Sequence, residues 1–149
     1  MRSRSLPGPL VWNDIAYNLS LSKVQLDRAQ QYAESAVTAV ANALRNLDLS
    51  RLTADDLENV SSLVAYWDTL GWVQFQKGNI DLAERYISAA WSIGQHSEVG
   101  YHLGQIYEKR GKNEAAIHLY ALASVADRSV PEPRESLFKL AGQERPRLC

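Results

Sequence analysis

The sequence predicts an all-α protein built from repeated helix pairs, and three observations carry that expectation. Leu70-Gly71, Gly78, Ala83 and Ala90 recur 33 residues later as Leu103-Gly104, Gly111, Ala116 and Ala123. Identities at one fixed offset, with small residues where two helices must touch, are the signature of a repeat array rather than of a catalytic domain. Apolar residues follow helical spacing almost throughout residues 10–126, and no alternating run reads as a strand. Proline, which interrupts helices, is absent between Pro9 and Pro131.

The first candidate helix covers residues 11–22, with Trp12, Ile15, Ala16 and Leu19 on one face. The second starts near Asp27, an acid suited to a helix N-terminus. It carries a stripe through Ala29, Tyr32, Ala33, Ala36, Val37, Val40, Leu44 and Leu47. A break follows at 49–52. Thr53 then opens the third helix with Asp56 three positions on, the spacing of a capping box. Its expected apolar face is Leu57, Val60, Val64, Trp67, Leu70, Gly71 and Phe75, and Gly78 closes it. Residues 81–93, 99–110 and 114–126 give three further helices, the fifth ending at Gly111. Pro131 and Pro133 stop regular structure. Residues 135–141 then form a short amphipathic helix through Leu137, Phe138 and Leu140, which caps the open end. Residues 1–9 read as a flexible start and 143–149 as a disordered tail.

Composition excludes several classes of function. Sixteen basic residues balance seventeen acidic ones, so the chain lacks the electrostatic footprint of a nucleic-acid binder. The only cysteine, Cys149, is terminal, which leaves no intramolecular disulfide and no cysteine zinc site. No apolar run reaches the length of a membrane span, and Pro7, Gly8, Pro9, Asn13 and Asp14 interrupt any leader-like segment. A cytoplasmic protein without membrane insertion is the default expectation.

Catalysis is not expected. His96, His102 and His118 with Glu98, Glu108 or Glu114 are the only conceivable metal or acid–base set. No two of these histidines share a helix face at i, i+4, and no HExxH arrangement occurs. They read as surface or capping residues. No nucleophile elbow or glycine-rich phosphate loop is present, so neither cofactor nor metal is expected.

Trp67-Asp68-Thr69-Leu70-Gly71, Gly78-Asn79, Ala83 and Ala90 resemble one tetratricopeptide repeat, a helix–turn–helix unit with the pattern W-x2-L-G-x2-Y, A-x3-F and a closing proline. The second copy is His102-Leu103-Gly104-Gln105-Ile106-Tyr107, Gly111, Ala116, Tyr120 and Ala123. It restores the tyrosine that Gln74 replaces and has Gly100 in place of the opening tryptophan. A weaker first copy places Ile15-Ala16 at the Leu-Gly positions and keeps Ala29 and Ala36. The closing proline is missing throughout, and Ile87 or Ala33 fills the aromatic slot of its copy. The resemblance covers residues 10–126, as units 10–47, 53–94 and 98–126 with a capping segment at 127–142. It implies a right-handed superhelix of about three αα-hairpins. Roughly twenty added residues between the first two units lengthen the two adjoining helices, on either side of 49–52, into a protruding hairpin over 38–62. The phrases Asn13-Asp14-Ile15-Ala16-Tyr17 and Tyr66-Trp67-Asp68-Thr69-Leu70-Gly71-Trp72 are also similar to the C-terminal repeat region of some bacterial transglutaminase-like proteins. That similarity implies a piece or descendant of a larger envelope-associated protein, periplasmic in that case.

In the tetratricopeptide family the first helices of successive pairs line a concave groove that holds an extended peptide or a partner helix. Carried over, the groove is lined by Asn13 and Tyr17, then Asp68, Trp72, Phe75 and Gln76, then Tyr101, Gln105, Glu108 and Lys109. Asp68, Trp72 and Phe75 share one helix face, as do Tyr101, Gln105 and Glu108. Trp72 is expected to stand partly exposed as an aromatic anchor. The acids Asp68, Glu98 and Glu108 against the single Lys109 disfavour capture of a carboxylate and suit an apolar or mildly basic peptide. The resemblance therefore implies a non-catalytic protein-binding module. The alternative is a structural or self-associating module whose aromatics and long hairpin bury against a second copy or a neighbouring domain of a larger protein.

Overall fold

The computed structural model describes residues 7–144. These residues form seven helices and no strand: α1 (Pro9–Ser22), α2 (Leu26–Ala43), α3 (Ala54–Gln76), α4 (Ile80–Ile93), α5 (Ser97–Lys109), α6 (Asn113–Ala126) and α7 (Glu132–Glu144). None of them is long and apolar enough to cross a membrane. The chain divides into two compact units, 1–86 and 87–149, the boundary falling within α4.

In the first unit α1 packs on α2, α2 on α3, and α3 back on α1. Small residues make these approaches close. Ala16, Ala33 and Leu70 form one buried cluster flanked by Tyr32, Val37 and Tyr86. Ala36, Val40 and Tyr66 form another with Trp12, Leu44 and Leu63. Pro9 begins α1, where its missing N–H and preset φ carry no penalty, so the helix starts earlier than its apolar pattern alone indicates. The connection to α2 is tighter than the sequence discloses. Lys23 (φ 55°) and Gln25 (φ 48°) both take the left-handed conformation, and the backbone N–H of Lys23 reaches back to the end of α1.

α2 stops at Ala43, short of the expected Leu47, and residues 44–53 form turns. Leu44 and Leu47 are half-buried, so their helical spacing reflects packing from a turn. Within that segment Asp48 Oδ1 accepts the Ser50 N–H at 2.9 Å and the Ser50 hydroxyl at 2.6 Å, which holds its carboxyl below the usual range. α3 then opens on a complete capping box. The Asp56 N–H donates to Thr53 Oγ1 at 3.1 Å, and the Thr53 N–H donates to Asp56 Oδ2 at 2.9 Å. At 23 residues α3 is about 35 Å long. Its first turns are largely exposed, Leu57 included, whereas every residue from Asp68 to Gln74 is buried. A helix covered all round is a central helix, and the single expected stripe describes only part of it. Lys77 ties the end of α3 to the start of α2, donating to Asp27 Oδ1 and to Gln30 Oε1 at 2.7 Å each. That bond and the ammonium charge lower the Asp27 carboxyl.

The second unit repeats this contact scheme. α5 packs on α6, α6 on α7, and α7 back on α5. Its centre is Ala116, Tyr120 and Leu140, flanked by Tyr101, Tyr107, Ile117 and Leu137. Gly78 (φ +87°) and Gly111 (φ +74°) turn the chain after α3 and α5 in the left-handed conformation that a side chain resists. Gly100 and Gly104 serve a different purpose, close approach. A Cβ on Gly104 would lie 2.4 Å from Tyr120 Cε1, and one on Gly100 would lie 2.8 Å from Trp91 Cζ3. The space left where the repeat pattern places a tryptophan is therefore filled by the Trp91 ring of α4.

α7 is longer than expected, 13 residues, and takes in Gln143 and Glu144; the rest of the expected tail, 145–149, and residues 1–6 lie outside the described residues. Asn113 Nδ2 donates to Glu144 Oε1 at 2.6 Å, which fixes the helix end. Leu140 is buried and Leu137 half-buried as expected of a covering helix, but Phe138 is 69% exposed. It belongs to the opposite side, because adjacent residues are turned about 100° apart around a helix.

Candidate functional site

The residues expected to line a binding face lie on α1 and α3 in the first unit and on α5 in the second. In the first unit Asn13 and Tyr17 are half-buried, one turn apart on α1. Asn13 Oδ1 is buried with no hydrogen-bond partner among the described residues. On α3 the expectation of an exposed anchor is corrected: Trp72 is 7% exposed and Asp68 is buried as well. The cause is the all-round burial of α3, which leaves no free side at 68–74. Phe75, one turn on, is half-buried and stacks on Trp72 with ring centroids 4.7 Å apart and planes 8° apart. Gln76 is half-buried beside it. Of the two aromatics expected to line the groove on α3, Phe75 is thus the accessible one, held by a buried indole.

On α5, Tyr101, Gln105 and Glu108 are half-buried and Lys109 is exposed. The structure joins three of them through a residue the sequence did not place in the site. Gln105 Nε2 donates to the Tyr120 hydroxyl at 2.7 Å, and that hydroxyl donates to Glu108 Oε2 at 2.7 Å. The Tyr101 and Tyr120 rings are 6.1 Å apart and tilted by 37°. Tyr120 is fully buried, and burial followed by the Glu108 bond pushes its phenol well above the ordinary tyrosine range. Tyr101 is raised too, by burial first, with the carboxylates of Glu132, Glu108 and Glu135 adding to the effect of burial. The signal for Tyr120 was present, since Gln105 and Glu108 share a face three residues apart and Tyr120 follows Ala116 at the aromatic position. The sequence could not show that its hydroxyl points back to α5.

The histidines divide differently from expectation. His96 precedes α5 at its N-cap and His118 is exposed on α6, whereas His102 is buried, its ring 5.9 Å from that of Tyr101. A surface or capping role therefore does not describe His102.

Set against known proteins, the chain matches no family model and no curated sequence.

Proposed function

We propose that the chain is a non-catalytic protein-interaction module of tetratricopeptide type that binds an extended peptide or a partner helix along the first helices of its pairs. The observation that carries this reading is the condition of α5. Its inner face is packed through Gly104 against Tyr120, while Tyr101, Gln105 and Glu108 stay half-exposed in one row, the last two with their head groups held in place. A row of immobilised polar and aromatic groups loses little side-chain entropy when a partner settles on it. Phe75 with Gln76 on α3, and Asn13 with Tyr17 on α1, provide the corresponding row in the first unit.

The test is selection from a displayed library of random peptides, followed by affinity measurement on the wild type, Phe75→Ala and Gln105→Ala. Enriched peptides that lose affinity in these variants support the reading. No enrichment, or peptides indifferent to both substitutions, overturns it. Trp72→Ala is unsuitable as a binding probe because truncating a buried tryptophan costs about 3–5 kcal/mol of stability.

Self-association is a second reading, favoured by leucines left in water where α2 joins α3. Leu49 is 79% exposed, and Leu52 and Leu57 are also exposed. A molecular mass that rises with concentration in light scattering, and falls in Leu49→Ser/Leu57→Ser, supports this reading over the first.

A further inference from the structure

We infer that Tyr120 is a specificity-determining positioning residue, which orients Gln105 and Glu108 so that α5 receives a cationic side chain, a guanidinium above all, from the bound segment. This rests on the binding role proposed for α5. Hydrogen-bond direction sets the polarity of this row. An ionised carboxylate only accepts, so the single proton of the Tyr120 hydroxyl goes to Glu108 Oε2. The phenolic oxygen can then only accept from Gln105, which fixes the carboxamide with its nitrogen inward. What remains directed away from Tyr120 is the carbonyl oxygen of Gln105 and the second carboxylate oxygen of Glu108. Both are acceptors.

The two head groups meet at one phenolic oxygen, each bonded to it at 2.7 Å. Tyr120 cannot readily release them, since its buried ring lies over Gly104 where even a Cβ would collide with it. A partner group must bring N–H donors and gains from positive charge. The planar fork of a guanidinium meets both requirements, with donors enough for both oxygens. Glu132 and Glu135 on α7 add negative potential beside Tyr101 on the same helix, while Lys109, the neighbouring cation, is exposed on an adjacent face.

The experiment uses the full chain and two small probes, N-acetyl-arginine amide and its uncharged isostere N-acetyl-citrulline amide, titrated by two-dimensional NMR. The Gln105 side-chain NH2 and the backbone amides of α5 are the reporters. The arginine probe is expected to shift these signals and to bind about fivefold more tightly than the citrulline probe, the scale of one partly exposed charge-assisted contact. Tyr120→Phe keeps the ring over Gly104 and is expected to abolish the preference, because the carboxamide is then free to turn. Glu108→Gln, which keeps an amide oxygen to accept from the Tyr120 hydroxyl but removes the charge, is expected to abolish it as well. Equal binding of the two probes, absence of shifts on α5, or a preference that survives in either variant overturns the inference. Its failure is distinct from failure of the binding role. Library peptides that bind α5 without basic residues would refute this inference alone. An arginine probe that binds while no peptide is enriched would refute the interaction module alone.

Discussion

Adding one methyl group at Gly104 is predicted to destabilise the protein by about 2–4 kcal/mol, the balance of three terms. The new Cβ would stand 2.4 Å and 2.6 Å from Tyr120 Cε1 and Cδ1. An ordinary carbon–carbon contact is about 3.5 Å, so the ring must retreat by about 1 Å. It has no free direction, being fully buried and tied to Gln105 and Glu108 by its hydroxyl. Overpacking of this kind costs about 1–3 kcal/mol. Stretching the bond to a charged acceptor forfeits about 2 kcal/mol more. Against these stands the gain of alanine over glycine within a helix, about 1 kcal/mol. At about 3 °C per kcal/mol for a chain of this length, Tm falls by roughly 6–12 °C. Urea denaturation of Gly104→Ala, Tyr120→Leu and the double variant isolates the cause. With the ring removed, the alanine should become neutral or stabilising, a coupling of about 2 kcal/mol or more. Gly142→Ala in α7 is the control, since nothing lies within 4 Å of the added carbon, and it should gain about 0.5–1 kcal/mol. If Gly104→Ala is as benign as Gly142→Ala, the ring does not sit over Gly104 and the close-approach reasoning fails.

Three more outcomes follow from local geometry. Thr53→Ala removes the capping box of α3 and should cost about 1 kcal/mol, with faster amide exchange confined to the first turn; unchanged exchange there would show the cap to be idle. Gly78→Ala and Gly111→Ala should each cost about 1 kcal/mol although nothing obstructs the added carbon, because both backbones hold φ above +70°, and denaturation midpoints check this. Tyr120, Tyr101 and Tyr66 all have raised phenol pKa values, chiefly through burial, so above the ordinary tyrosine pKa the folded state binds more protons than the unfolded chain. Their contribution is intact below about pH 10 and is lost as pH rises beyond it, by up to about 1.4 kcal/mol per pH unit for each tyrosine kept neutral. Stability measured from about pH 9 to about pH 11 should fall, less steeply in Tyr120→Phe, and a flat profile would contradict the burial of these hydroxyls.

What the sequence determined by itself is what short-range chemistry controls. Helical periodicity gave the all-α class. Thr53 with Asp56 marked the start of α3, and Gly78 and Gly111 marked turns that need a left-handed residue. The small residues at 16, 104 and 116 marked where helices come close, because a missing side chain leaves its trace in the sequence itself. The tertiary structure decided whatever depends on how many neighbours surround a helix and which way a side chain turns. Trp72 looked available beside an apolar stripe, yet residues 68–74 are buried all round, and periodicity along one helix does not count the bodies packed on it. Trp91 fills the space above Gly100 from another helix, outside the register in which the repeat is read. The left-handed Lys23 and Gln25 belong to a tight connection, and α2 ends at Ala43 while Leu44 beyond it still packs in the cluster of Tyr66 and Leu63. Tyr120 combines both sources. Its ring was legible from the spacing of the repeat, whereas the aim of its hydroxyl, which sets the polarity of α5, arises only when α6 docks and buries a group that must then find partners.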